Sequence, residues 1–501
     1  MPRRIDWSII AKHTRVYNKR VPKRAIRLVG MDVPDEVNLV TTRKVCHINK
    51  LSIKNNSSFE ALLRNPPLLM TVLYLAVVAL GTALLSLPIA TATGEGASFM
   101  EALFTATTSL CVTGLVTVTT ATYWSLFGKI VILLLIQLGG LGIVTAAAGL
   151  AMTLNMRITM RSRLAIAAEK NAETPRGMAK LIHFVLVATF AIEALGAIIL
   201  ATRFVPAFGW KTGMWYAVFH SVSAYCNAGL DILGDSSLVA WSSDIVVILA
   251  ISILIILGGI GYPVYRDIVK GRRWKKFRLH TKIVVATTAV LLIGGTILFW
   301  VLERKNPATM GNQPLGIQWL SAFLQSTTTR TAGFAGIPQG SLTHASALLA
   351  ITLMFIGGSP VGTAGGVKTT TLVALLVNTR AEATRRKETT VFKRRLPAEV
   401  ARRASTIVLL SALWIFAACF IITMTDPDVV FIDVLYEVIS AFGTVGLSRA
   451  NTAVFSAGGQ LVLIATMLFG KLGPLTVLYA LVTRQRFDSE FKQAEEHIMI
   501  G

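Results

Sequence analysis

Apolar residues gather in eight runs along this chain, at about 66–90, 127–153, 181–205, 244–265, 281–302, 346–378, 404–424 and 457–482. Each is long enough to cross a bilayer, which takes about 20 residues; the run 346–378 is interrupted by Gly, Ser, Thr and Pro. After the first, third, fifth and seventh runs comes a shorter apolar stretch: Ser98–Ser109, Met214–Tyr225, Ile317–Thr329 and Phe431–Phe442. These are too short to cross, and each ends in a glycine-containing tract. Non-helical backbone at membrane depth is tolerated only where it lines a watery cavity or is packed in protein. A half-membrane helix followed by a returning loop is therefore the geometry of a pore. The pattern predicts an all-α integral membrane protein of four pseudo-symmetric span–pore-loop–span repeats. Eight transmembrane helices and four half-membrane pore helices would surround one ion pore.

The four tracts are Cys111-Val112-Thr113-Gly114-Leu115, Cys226-Asn227-Ala228-Gly229-Leu230, Arg330-Thr331-Ala332-Gly333-Phe334 and Gly443-Thr444-Val445-Gly446-Leu447. Their glycines fall 115, 104 and 113 residues apart, a period that marks repeated structural units. A second glycine follows in each next span, at Gly140, Gly259, Gly358 and Gly470; close helix packing explains this second set equally well. The chemistry expected of the tracts is that of the main chain. A bare K⁺ must exchange its water shell for oxygens, and a ring of carbonyls supplies them. Glycine admits the positive φ that points successive carbonyls one way. The half-helices would turn their negative C-terminal ends toward the pore and favour a cation. Thr444-Val445-Gly446 reproduces the start of the TVGYG filter, and the other tracts are degenerate versions.

Charge adds orientation. The chain has 501 residues, 53% hydrophobic and 15% charged, with 49 Lys+Arg against 26 Asp+Glu for a net charge of +23. A basic chain of this size suggests nucleic acid only if it offers an exposed basic face on a polar domain. Here 40 of the 49 bases lie in the N-terminal segment, in the connections 155–180, 266–282 and 380–403, and beyond the last run from Arg484 onward. By the positive-inside rule these five regions face the cytoplasm, so both termini are expected inside the cytoplasmic membrane and the number of spans is even. Residues 1–64 read as a basic cytoplasmic extension with a capping box at Ser57–Glu60, and 486–501 as a cytoplasmic tail. The repeats are expected at 65–154, 181–270, 281–380 and 403–485. Four cysteines exclude a disulfide scaffold, and seven histidines without HExxH or zinc spacing argue against a metallohydrolase. No buried nucleophile–base constellation points to an enzyme.

The motifs resemble the KtrB/TrkH superfamily of K⁺-translocating membrane subunits over about 65–490. The likeness is carried by Thr108–Leu115, Phe219–Gly229, Thr329–Phe334, Tyr436–Ser448 and Gly357–Thr370, and without an extra pair of spans at the start the chain looks more like KtrB. The resemblance implies uptake of K⁺, often Na⁺-dependent, by a homodimer with one pore per subunit. It also implies a cytoplasmic ring of nucleotide-binding RCK subunits of KtrA or TrkA type. No organic cofactor is expected in this chain and no nucleic-acid partner; K⁺, with Na⁺ as a coupling ion, is the cargo. The selectivity filter would be Val112, Thr113, Gly114, Asn227, Ala228, Gly229, Thr331, Ala332, Gly333, Thr444, Val445 and Gly446. An alternative of the same fold is a less selective K⁺/Na⁺ symporter or cation channel.

The stretch 357–370 breaks the sixth run. It reads either as a kinked helix packed on its neighbours or, as the resemblance implies, as an intramembrane gating loop. The gate residues would be Gly357, Gly358, Ser359, Gly362, Thr363, Gly365, Gly366 and Lys368. It is no Walker A loop, because Gly366-Val367-Lys368 lacks the Gly-Lys pair. Nine bases lie outside the cytoplasmic regions, and most are expected to snorkel at outer span ends. Lys471 sits within the last run, where a cation marks a functional position, and the family usually carries an arginine barrier there. Asp231, Asp235 and Asp244 either concentrate cations at the outer mouth or form a solvated loop. Cys111 and Cys226 read as small packing residues.

Overall fold

A computed structural model describes residues 66–153, 178–234, 237–271, 273–386 and 388–481. The N-terminal extension with its capping box, the connection 155–177, Asp235 and the C-terminal tail lie outside the described residues.

The described chain is helical apart from one short hairpin, Thr390–Val391 paired antiparallel with Arg394–Arg395. Sixteen main helices fall into four sets of four. The first set is α1 Pro66–Leu85, α2 Phe99–Cys111, α3 Leu126–Leu141 and α4 Ile143–Thr153. The second is α5 Met178–Phe208, α6 Trp210–Cys226, α7 Ile245–Ile260 and α8 Tyr262–Gly271. The third is α9 Leu279–Glu303, α10 Leu315–Thr328, α11 His344–Phe355 and α12 Thr369–Ala383. The fourth is α13 Ala398–Thr425, α14 Phe431–Gly443, α15 Ala457–Leu472 and α16 Pro474–Leu481.

The first helix of each set is unbroken, and all four are long and apolar enough to span a bilayer. Their lipid-facing residues stay exposed, as Leu80, Phe190, Ile293 and Phe416 do, because in a bilayer outward apolar groups have no reason to hide. The second helix is the half-membrane element, and its inner turns are completely buried: Thr107, Ser221, Thr328 and Ser440 show no exposure. Small polar side chains at those turns let main chains approach closely.

The second spans depart from expectation. Only the sixth run was expected to be interrupted, yet all four second spans are broken. The helix α3 turns into α4 by 96°, and α7 into α8 by 94°. The breaks fall at Gly142, Gly261 and Gly473, with φ of 88°, 91° and 87°. Those values suit glycine alone, and hydropathy averaged along the run does not register a single residue. In the third set the break is instead a thirteen-residue segment, 356–368, between α11 and α12. The first span also ends at Leu85, short of the expected residue 90.

Candidate functional site

Each half-membrane helix ends in the same way. In α2, α6 and α14 the residue after the last turn, Val112, Asn227 and Thr444, takes left-handed backbone with φ of 57°, 60° and 51°. The following amide, of Thr113, Ala228 or Val445, donates 2.8 Å to the carbonyl of Thr108, Ser223 or Ser440. The third set closes differently: α10 ends at Thr328, the Ala332 amide donates to Thr328 O at 3.0 Å, and Thr331 carries the positive φ of 74°. Two residues further on, Gly114, Gly229, Gly333 and Gly446 have φ of 97°, 65°, 83° and 96°. Left-handed backbone at the β-branched Val112, Thr331 and Thr444 costs about 1–2 kcal/mol each. It persists because side chains brace the tract: the Thr108 and Ser440 hydroxyls accept from the amides of Gly114 and Gly446 at 3.0 Å, and Ser223 Oγ donates to Leu230 O at 2.6 Å.

The four tracts converge in chain order and close on themselves. A Cβ on Gly114 would stand 2.6 Å from Ala228 O, and one on Gly229 would stand 2.5 Å from Ala332 O. One on Gly333 would strike Val445 O, and one on Gly446 would strike Thr113 O, returning to the first tract. The main chains of the four tracts thus form one ring. Asn227 Nδ2 ties the second tract to Thr331 Oγ1 at 3.2 Å. Three side-chain oxygens of ring residues are buried without a hydrogen-bond partner, Thr113 Oγ1, Thr444 Oγ1 and Asn227 Oδ1; that of Thr444 lies against Gly365 and that of Asn227 against Gly258. Among the described residues no cluster of His, Cys, Asp or Glu has the makings of a metal site. A ring of main-chain carbonyls is the donor set that replaces the water shell of a large, weakly hydrated monovalent cation.

The spanning helices hold the ring from behind through glycine. A Cβ on Gly139 would stand 2.8 Å from the Leu110 carbonyl carbon, one on Gly258 3.0 Å from that of Tyr225, and one on Gly470 2.8 Å from that of Phe442. In the first two repeats this closest approach falls one residue before the expected landmarks Gly140 and Gly259. The last carbonyls of the half-helices are thereby pinned beside the ring.

Segment 356–368 lies directly against the fourth tract. Gly365 leaves no room for a Cβ, which would stand 2.8 Å from Thr444 Cγ2. The segment is laced at its base, where the Gly357 amide donates to Val367 O at 2.9 Å and that of Thr369 to Gly358 O at 3.1 Å. It is held sideways by α7: the Ser359 amide donates to Gly259 O at 3.0 Å and that of Thr363 to Gly258 O at 3.3 Å. Gly362 lies 3.1 Å, by its ideal Cβ, from both those carbonyls, and Gly366 has φ of 65°. Lys368 curls back onto the carbonyls of Ala364 and Gly365. From the fourth repeat, Lys471 Nζ donates to Thr363 O at 2.9 Å. The ring, the segment beneath it and Lys471 therefore form one continuous constellation.

Other expectations need correction. Arg330 and Arg449 do not snorkel: Arg330 is 7% exposed, and Arg449 pairs with Asp433 at 2.8 Å beside the fourth tract. Asp244 is no free acid, because it caps α7 and pairs with Arg203 at 3.2 Å. Cys111 and Cys226 are buried thiols packed behind the ring. Four carboxyl-bearing residues that the sequence pattern does not single out are buried among the described residues, Glu193, Glu303, Asp426 and Glu437. Glu193 of α5 is 5% exposed and accepts from Gln137 Nε2 at 3.1 and 3.3 Å, with Cys226 Sγ 3.7 Å away. Glu437 of α14 is fully buried and accepts from the Thr452 hydroxyl. The sequence signal for Glu193 was a lone acid in an otherwise apolar run, the kind of intramembrane ionisable group that marks function.

A family model described as "TrkH: Cation transport protein" matches residues 70–491. The chain is 37% identical to "Potassium/sodium uptake protein NtpJ" of Enterococcus hirae over 441 residues, covering 87% of this chain and 97% of that protein. It is 37% identical to "Ktr system potassium uptake protein B" of Vibrio alginolyticus over 443 residues, covering 87% and 95%. The Bacillus subtilis protein of the same name is 34% identical over 430 residues, covering 86% and 96%. The solved structure of the potassium transporter TrkH from Vibrio parahaemolyticus superposes with a TM-score of 0.63 at 19% identity, over 82% of this chain and 84% of that one. At that identity the likeness speaks for the fold alone.

Proposed function

We propose that this chain, which belongs to the TrkH family of cation transport proteins, carries K⁺ into the cell across the cytoplasmic membrane, with both termini inside. The observation that carries the reading is the closed main-chain ring at Gly114, Gly229, Gly333 and Gly446. Its filter is Val112, Thr113 and Gly114 with Asn227, Ala228 and Gly229, Thr331, Ala332 and Gly333, and Thr444, Val445 and Gly446. An entering ion sheds water against these oxygens, whose left-handed residues are strained before it arrives, so little reorganisation is needed at that moment. The inward drive is the membrane potential, about 2.3 kcal/mol per charge per 100 mV.

Segment 357–370 acts as the gate, since it lies against Thr444 and hangs on a few single hydrogen bonds. Lys471 serves as latch and electrostatic barrier: its ammonium fastens Thr363 and opposes a cation at the same place. In the cell the chain works as a homodimer in the lipid bilayer. A cytoplasmic RCK-type ring binds the nucleotide and moves the gate, and Na⁺ promotes uptake. A second reading, a pore that also passes Na⁺, is favoured by the single glycine per tract and by the name of the potassium/sodium relative.

The test is Rb⁺ uptake into proteoliposomes holding the purified chain, inside negative, with and without Na⁺. Uptake driven by the potential and competed away by K⁺ is expected, and equal competition by Na⁺ selects the second reading. Silence both alone and with an RCK-type partner overturns the proposal.

A further inference from the structure

Most outlying cations in this chain have an evident reason. Lys129, Lys368 and Lys471 donate to carbonyls, Arg203 and Arg449 pair with aspartates, and Arg304 lies over the Trp300 ring at 5.0 Å. Arg330 is different. Its main chain belongs to the third tract, one residue before Thr331, while its side chain runs behind the ring into the seam between α7, α9 and α10. There it is 7% exposed, and its Nη2 reaches Thr288 Oγ1 at 3.4 Å, the long end of hydrogen bonding. Its Nε has no partner, and among the described residues no carboxylate is paired with it.

Arg330 lines a cleft together with Ile255, Ile256, Ile260 and Leu292, with Thr288 as the polar neighbour. The enclosed part has room for about one water-sized body. A buried unpaired cation is a large cost that a structure relieves by pairing it. The last turn of α7 lines the cleft, and its end carries about half an elementary charge of negative sign, which offsets part of the guanidinium's charge and leaves about half of it to hold an anion against that end. Two of its carbonyls, those of Gly258 and Gly259, are already taken by the amides of Thr363 and Ser359. A water molecule would satisfy Nε and leave the charge. Phosphate or carboxylate heads exceed the enclosed room, and the isoleucine walls offer them no further donors.

We propose that this cleft binds one small monovalent anion of halide size, held by Nε and Nη2 of Arg330 with the Thr288 hydroxyl as a third donor. Because Gly358 lines the same cleft, an occupant also braces the start of segment 357–370 against α7. The site is independent of what the ring conducts, and its test needs no transport.

The full chain in detergent, at fixed K⁺ and ionic strength, is melted in chloride, in bromide and in gluconate, and bromide is located by anomalous diffraction from crystals of the same protein. The expected result is a bromide peak within hydrogen-bonding reach of Arg330. The melting temperature should rise by an equal increment for each tenfold increase in halide, as single-site linkage requires. Arg330→Gln should abolish that increment, and Thr288→Val should reduce it. A melting temperature indifferent to halide, or density for water or a lipid head at Arg330, overturns the proposal. So does a bromide peak with no thermal response, which is binding at crystal concentration only. The bromide map of the unmodified chain decides the matter even if Arg330→Gln does not fold.

Discussion

Replacing Gly446 by alanine tests the ring directly. The glycine has φ of 96°, where an L-residue costs about 1–2 kcal/mol. The new methyl would stand 2.8 Å from Gly114 Cα and 3.0 Å from its carbonyl carbon. The shorter distance is roughly 0.7 Å inside ordinary carbon contact. No side chain can swing away, because both atoms are main chain of the first tract. That tract is itself pinned, by the Thr113 amide on Thr108 O at 2.8 Å and the Gly114 amide on Thr108 Oγ1 at 3.0 Å. The ring has to widen, and a widened carbonyl ring under-coordinates a bare K⁺ while it tolerates an ion that keeps part of its water. Since about 1.4 kcal/mol is tenfold, relief of that strain by leaving the conducting geometry predicts a loss of roughly tenfold in Rb⁺ uptake by proteoliposomes, with competition by Na⁺ rising against that by K⁺. The control is Gly294→Ala, a helical position where a Cβ meets nothing within 4 Å. There alanine gains about 0.5–1 kcal/mol of helix preference, and uptake should be unchanged. Wild-type flux and selectivity in Gly446→Ala, or equal damage from Gly294→Ala, would refute the carbonyl-ring reasoning.

Three further outcomes are expected. Lys471→Met removes the charged donor to Thr363 O, a bond worth about 1.5–3 kcal/mol, so uptake in the absence of any regulatory partner should rise several-fold while Lys471→Arg stays near wild type; flux assays on both variants decide it. Gly473→Ala places a methyl where nothing lies within 4 Å, at φ of 87°; the cost is purely conformational, about 1–2 kcal/mol, and should appear as a lower melting temperature that the same substitution at Gly294 does not produce. Asp426 lies just beyond α13; burial pushes its carboxyl up, but hydrogen bonds from Thr425 Oγ1 at 2.7 Å and from the Ser456 amide and hydroxyl outweigh it and hold the pKa below the usual value. A depressed folded pKa stabilises above the unfolded value of about 3.9. Asp426→Asn should therefore lower the melting temperature at pH 6, and the gap should shrink as pH falls below about 4.

The repeat architecture was legible because it is written at the scale of whole segments. Twenty apolar residues, then a dozen, then a glycine tract is a pattern that no local accident of packing erases. The half-helices at Phe99–Cys111 and Phe431–Gly443 begin within a residue of their expected starts, helped at the first by the Ser98–Glu101 capping box. What escaped was written in single residues. The breaks at Gly142, Gly261 and Gly473 each turn on one glycine inside a run that averages apolar, with Pro263 and Pro474 just after two of them. The left-handed Val112, Thr331 and Thr444 break the ordinary rule for β-branched residues, so no propensity could have found them. Arg330 is one of the nine outlying bases, most of them expected to snorkel at outer span ends; its depth depends on where α7 and α9 pass.

The third repeat departs from the others in its second span. Three second spans break at a single glycine with nearly the same angle, whereas the third breaks over 356–368. That segment cannot be a scaled-up hinge, because its contacts reach both neighbouring repeats: Gly258 and Gly259 on one side, Lys471 and Thr444 on the other. The same repeat carries the ring tract with the altered helix end at Thr328 and the buried Arg330 behind it. A ring of four equivalent tracts offers an ion the same oxygens from every side and has no preferred direction in which to open. Asymmetry has to be introduced somewhere if one element is to move while the ring stays rigid. Here it lies in segment 356–368, and under the gating proposed above the bonds that would have to release are few: amide–carbonyl pairs of about 1 kcal/mol each and the charged Lys471 bond of about 1.5–3 kcal/mol.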